Sequence, residues 1–126
     1  MKKHWAVLDT VRDAVFLADI DTGMIVDANP AAEILCGRSL WELTLLHHTG
    51  LYPPEARESA RLAFEKRTRI QDLSEGLVLH KEGHRIRVEI ASIPFTAPDG
   101  KRILVGVFRD TTERYAQRKT LRQSAD

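Results

Sequence analysis

From Leu73 to Phe108 the chain alternates. In HRIRVEIASIPF, Ile86, Val88 and Ile90 take every second place, with Arg85, Arg87 and Glu89 between them. Successive side chains of an extended strand point to opposite faces, so this period of two builds a strand with one apolar face. LSEGLVLHK precedes it across the turn Glu82-Gly83, and Ala97-Pro98-Asp99-Gly100 leads into a further strand, RILVGVF. Three strands joined by tight turns form an antiparallel sheet, and its apolar face has to be covered by the rest of the chain.

The cover lies upstream. AVFLAD, Ala14 to Asp19, the turn Asp21-Thr22-Gly23 and MIVDAN predict a first hairpin. Asn29-Pro30-Ala31-Ala32-Glu33 reads as an N-cap, a proline at the first helical position and good helix formers, with Gly37 as the stop. Ser39 is placed to cap a second helix, SLWELTLL, and HHTGLYPP is a loop. Pro53 and Pro54 open a longer helix through about Lys66. Ala56, Ala60, Ala63 and Phe64 share one of its faces, while Glu55, Arg57, Glu58 and Glu65 turn to water. At the start, Trp5, Leu8 and Val11 recur every three residues and predict a short amphipathic helix. Strands grouped before and after a helical stretch predict an α+β domain.

A chain of 126 residues holds one continuous core and not two. Its formal net charge of +1 supplies no excess for nonspecific nucleic-acid binding, and Arg85, Arg87, Arg102 and Arg109 lack the interleaved aromatics of a base-stacking surface. No apolar run approaches a membrane span, so no direct membrane contact is expected of this segment. Cys36 stands alone and forms no internal disulfide, which suits the cytoplasm. Phosphate loops, HExxH and nucleophile turns are all missing, so the segment is not expected to be an enzyme.

Four stretches occur together in one order: Val26-Asp27-Ala28-Asn29-Pro30-Ala31-Ala32, Tyr52-Pro53-Pro54-Glu55, His80-Lys81-Glu82-Gly83-His84-Arg85-Ile86, and Arg109-Asp110-Thr111-Thr112-Glu113-Arg114. The last is similar to the Asp-Ile-Thr-Glu-Arg ending of PAS domains, with Thr111 in the isoleucine position, and from about Val11 to Arg118 the chain resembles that family. The resemblance implies a five-stranded antiparallel sheet, order 2-1-5-4-3, with helices across one face enclosing a cavity. It divides the chain into an N-terminal cap (1–12), the PAS core (13–110) and the start of a signalling helix (111–126). Such domains are sensory or dimerisation modules of bacterial histidine kinases, diguanylate cyclases and related regulators, and they bind a small ligand, a cofactor or nothing.

On that frame, strand alternation gives a helix-facing set of Phe16, Ala18, Val78, Val88, Ile90, Leu104, Gly106 and Phe108, opposed by Ile34, Leu45 and Phe64. Asn29 is the nearest polar group, with capping of the following helix as its alternative role. The lining suits an apolar or aromatic small molecule, but Phe16, Phe64 and Phe108 would fill much of the space, so a packed interior without cofactor is expected. His47 and His48 are the candidates for a haem ligand. The resemblance places that ligand on the long helix, which has no histidine, so a solvated loop pair is expected. Flavin photochemistry is not expected either: Cys36 lies outside the reactive-cysteine helix of the light-sensing branch, and Phe108 takes the place of its flavin-reading glutamine. His80 and His84 flank a turn and could approach each other, but read as exposed hairpin residues rather than a metal site.

Asp110 is positioned to accept backbone N–H bonds at a helix start or to pair with a basic residue, Thr112 to cap the helix, Glu113 to sit at the positive end of its dipole and Arg114 to form a salt bridge. These four are the candidate signal relay into an output domain. Val105 and Val107 point to the outer face of the sheet if Phe108 points inward, and with the Trp5-Leu8-Val11 helix they predict a homodimer surface.

Overall fold

The structure is a computed structural model describing residues 12–66, 73–114 and 117. The Trp5-Leu8-Val11 helix lies outside the described residues, as does most of the chain after Arg114. Five strands, β1 (Ala14–Asp19), β2 (Ile25–Ala28), β3 (Ser74–Leu79), β4 (Arg85–Thr96) and β5 (Arg102–Asp110), form one antiparallel sheet in the order β2-β1-β5-β4-β3. This is the order the family resemblance implies. β1 and β5 are central. β1 is buried along almost its whole length, with Phe16 and Ala14 on the helix side and Val15 and Leu17 on the other. Val105 and Val107 join Val15, Leu17 and Ile103 on that outer face, as alternation requires.

β4 is long because it serves two partners, β3 from Arg85 to Ile90 and the whole of β5 from Val88 to Thr96. Pro94 falls beyond that point, opposite Leu104, so its missing N–H points to the side where no described strand needs it.

Over the other face lie α1 (Pro30–Cys36), α2 (Leu40–Leu43) and α3 (Arg57–Lys66). Asn29 caps α1 by accepting from the Ala32 N–H, and Gly37 ends it in the left-handed conformation (φ 66°). The His80 ring occupies the space a Gly37 Cβ would need, so backbone and packing both require glycine there. α2 is a single turn closed by a reciprocal capping box between Ser39 and Glu42, shorter than the predicted SLWELTLL.

The predicted loop HHTGLYPP contains a 3-10 turn, His48–Leu51. The long helix starts with another, Pro54–Ala56, before α3 proper. No residue of α3 is fully buried, and the helix packs chiefly against these two turns rather than on the sheet.

Candidate functional site

The end of β5 is tied down from several directions. Thr111 is buried and donates its N–H to the Arg87 carbonyl at 3.0 Å, continuing the β4–β5 ladder by one step. Asp110 Oδ1 then accepts the Thr112 N–H at 2.8 Å, satisfying one of the donors a new helix leaves open. The chain is helical from Thr112 to Arg114. Thr112 therefore occupies the first turn itself, and the predicted capping role belongs to Asp110. Glu113 is exposed in the same turn, where a negative charge suits the helix dipole. Arg114 reaches back to β4 and pairs with Glu89 at 2.6 Å, the two side chains being 43% and 20% exposed.

A second pair closes the neighbouring seam. Arg109 binds both carboxylate oxygens of Asp13, at 3.4 and 3.1 Å, and this hydrogen bonding raises the arginine pKa further. Just behind it, Asn29 Nδ2 donates to the Asp13 carbonyl, while Asn29 Oδ1 accepts from Val15 N–H and Ala32 N–H. One buried amide thus joins the start of α1, the start of β1 and, through Asp13, the end of β5. The cap reading of Asn29 is correct, and the residue also staples β1.

The interior holds a cavity of about 40 Å3, room for on the order of one or two water molecules. Phe16, Ala18, Leu104, Gly106 and Phe108 line it as alternation predicts, with Phe64 opposed to them, and Phe16 and Phe108 meet edge to face with centroids 4.9 Å apart. Val78 and Val88 are fully buried but sit elsewhere in the core. Ile90 faces a second, open cleft of about 280 Å3 between α3 and β3.

Two predicted wall residues are not there: Ile34 is 79% and Leu45 69% exposed. α1 buries Ala32, Leu35 and Cys36, and Ile34, two residues from Ala32, is turned about 200° away from it. Leu45 lies beyond the end of α2, whose inward residue is Leu43.

His48 was expected in solvent and is instead 6% exposed, its ring stacked on Phe64 with centroids 3.9 Å apart. Tyr52, His48 and Phe64 line both the cavity and the cleft, so they form the partition between them. His47 remains half-buried, its Nδ1 2.9 Å from Thr49 Oγ1 at the start of the 3-10 turn. Neither histidine fits haem in this arrangement. One is covered face-on by Phe64, the other is held in a cap, and the 40 Å3 cavity is far below the size of a macrocycle.

Ser92 and Ile25 also line the cavity and were missed, although Ser92 continues the Val88, Ile90 alternation and was legible by it. His48 lies in a loop without periodicity and gave no such signal.

Cys36 is fully buried, and burial pushes its thiol up to about 12. His80 and His84 do approach, stacking with centroids 4.3 Å apart. His80 is half-buried rather than exposed, and its Nδ1 accepts the Glu82 N–H. Among the described residues no group of three or more His, Cys, Asp or Glu gathers to hold a metal, and no helix is long and apolar enough to cross a membrane.

The sequence profile described as the PAS fold matches residues 5–111. A PAS domain of a Colwellia psychrerythraea protein is similar at 25% identity and TM-score 0.75, over 89% of this chain and 97% of that one. A domain of a sensory box sensor histidine kinase/response regulator from Geobacter sulfurreducens aligns at 23% identity and TM-score 0.69, over 86% and 92% of the two chains. The N-terminal domain of a diguanylate cyclase with PAS/PAC sensor from Marinobacter aquaeolei follows at 16% identity and TM-score 0.65, over 82% and 98%. No curated protein matches. With its profile match spanning most of the chain and its strand order that of the fold, this chain belongs to the PAS family.

Proposed function

We propose that this PAS sensory domain acts in the cytoplasm by passing a change in its sheet to an output domain, of the histidine kinase or diguanylate cyclase type, through the helix that begins at Thr112. The observation carrying this reading is the anchored exit of β5. Asp110 caps the helix, Thr111 extends the sheet into it, and Arg114 returns to Glu89 on β4. A shift of β4 against β5 therefore changes the direction of the helix.

The stimulus in this reading is a small apolar or aromatic molecule that displaces Phe64 from the partition. Phe64 is half-buried on a helix with no fully buried residue, so moving it disturbs little of the core. Asp110→Ala in the intact signalling protein is expected to uncouple output from input while leaving the domain folded; unchanged regulation overturns the relay. Native mass spectrometry of the purified domain tests the ligand separately, with a retained small molecule as the supporting result.

A second reading is ligand-free homodimerisation through the outer sheet face. Val105 and Val107 are only half-buried there and Ile93 is 46% exposed. A monomer by light scattering at high concentration removes it.

A further inference from the structure

The two edges of the sheet are built differently. β2 is closed off: its ladder with β1 changes register between Leu17 and Ala18, Met24 bridges to His47, and the Ile25 N–H donates to the Leu46 carbonyl at 3.1 Å. Bulging and covering are the usual ways of keeping an edge from recruiting another strand. β3 has neither. It pairs with β4 in unbroken register from Ser74 to Leu79, and no described strand lies along its other side. SEGLVL contains no proline or lysine to blunt it. Every second residue of β3 therefore turns an N–H and a C=O outward.

α3 faces this edge across the cleft of about 280 Å3. Ala60 and Ala63 of α3, with Ala56 of the 3-10 turn before it, supply one wall, and Gly76 and Leu77 the other. A helix with a small-residue face standing beside an open strand edge is the setting in which extended peptides are captured by strand addition, main-chain bonds giving affinity and alternate side chains giving specificity.

Charge selects the occupant. Glu75 lines the same cleft and lies directly across the ladder from Glu89. Like charges so placed are unfavourable. Glu89 is neutralised by Arg114, whereas Glu75 has no ion pair among the described residues. A second copy pairing through its own β3 would bring no cation, because Glu75 is the strand's only charged residue.

We propose that the β3 edge and the alanine face of α3 form a docking groove for an extended, basic segment of a partner protein, which adds to the sheet as a sixth strand and sets a lysine or arginine against Glu75. The groove shares only the partition residues His48, Tyr52 and Phe64 with the inner cavity, so the proposal does not rest on a ligand there.

The probe is a capped eight-residue peptide alternating valine and lysine, titrated into the 15N-labelled protein. Slowed exchange of alternate β3 amides and shifts along Ala56 to Ala63 are expected. Of two versions N-methylated at odd or at even positions, one is expected to lose binding and the other to keep it. Glu75→Lys, an exposed change that leaves the ladder intact, is expected to weaken the lysine peptide by roughly two- to fivefold and to favour a valine–glutamate peptide by a similar factor. No binding at millimolar peptide, shifts confined to the outer sheet face, or equal binding of both methylated versions would overturn the proposal.

Discussion

Replacing Asn29 by Ala tests how the exit of β5 is held to the rest of the fold. The side chain is 2% exposed and makes three backbone hydrogen bonds with described residues, from Val15 N–H at 2.9 Å, from Ala32 N–H at 3.0 Å and to the Asp13 carbonyl at 2.9 Å. Loss of the cap on α1 costs about 1 kcal/mol. The Val15 N–H, on a strand buried on both faces, is then left without this acceptor, at about 1–2 kcal/mol more. The Asp13 carbonyl stands nearer solvent and adds little. A total of about 2–3 kcal/mol corresponds to a fall in Tm of roughly 10 °C for a domain of this size. Urea and thermal unfolding followed by circular dichroism give the number, and amide exchange at Val15 gives its location. Asn29→Asp keeps an oxygen for both N–H groups but sets a buried carboxylate oxygen against the Asp13 carbonyl in place of the amide donor, so it should keep the Val15 amide protected while still lowering stability. A cost below about 1 kcal/mol for Ala, or an unchanged Val15 amide, would refute the staple.

Three further outcomes are expected. Gly37→Ala must adopt φ 66° and push aside the His80 ring, so it should lose about 2 kcal/mol or more in urea unfolding; a neutral substitution would contradict the packing of the β3–β4 turn on α1. The Cys36 thiol, buried and pushed up to about 12, should resist alkylation at pH 8 until urea unfolds the chain, and labelling at the rate of a free thiol would show the burial to be wrong. Glu42 is held below its ordinary 4.5, first by its hydrogen bond from Lys81 and then by the Ser39 N–H. Its folded value is the lower one, so its contribution is present above the ordinary carboxylate range and is lost as pH falls through the folded value. Lys81→Met should therefore narrow the drop in urea midpoint between neutral and acid pH, and an unchanged drop would count against the pair.

Much of this architecture was legible because strands announce their faces. The alternation Ile86, Val88, Ile90 sorted β4 correctly and would have included Ser92 had it been followed one step further. The caps at Asn29 and Ser39 were readable for a related reason: a short polar side chain before a helical run has one job that the backbone demands.

Short helices were harder. α1 has only seven residues, so its apolar stripe is brief, and Ile34 looks as inward as Leu35 until the helix phase is known. Leu45 depended on α2 continuing, and α2 stops after one turn. His48 is buried because a 3-10 turn carries it under Phe64, a tertiary placement with no periodic trace in the sequence. In the relay, charge type was informative and partner identity was not. Arg114 could be assigned a salt bridge from its place at the helix start, but Glu89 as its partner follows from strand register.

In the proposed relay the sheet sets the direction of the exit helix through the Glu89–Arg114 pair. Nitroxide labels at Lys101→Cys and Gln117→Cys, both exposed, can be introduced without removing the buried Cys36, and electron–electron resonance then gives their distance distribution. A narrow distribution is predicted for the parent, broader ones for Glu89→Arg and for Arg114→Glu alone, and a narrow one again when both exchanges are combined. Distributions of equal width in all four proteins would contradict the account.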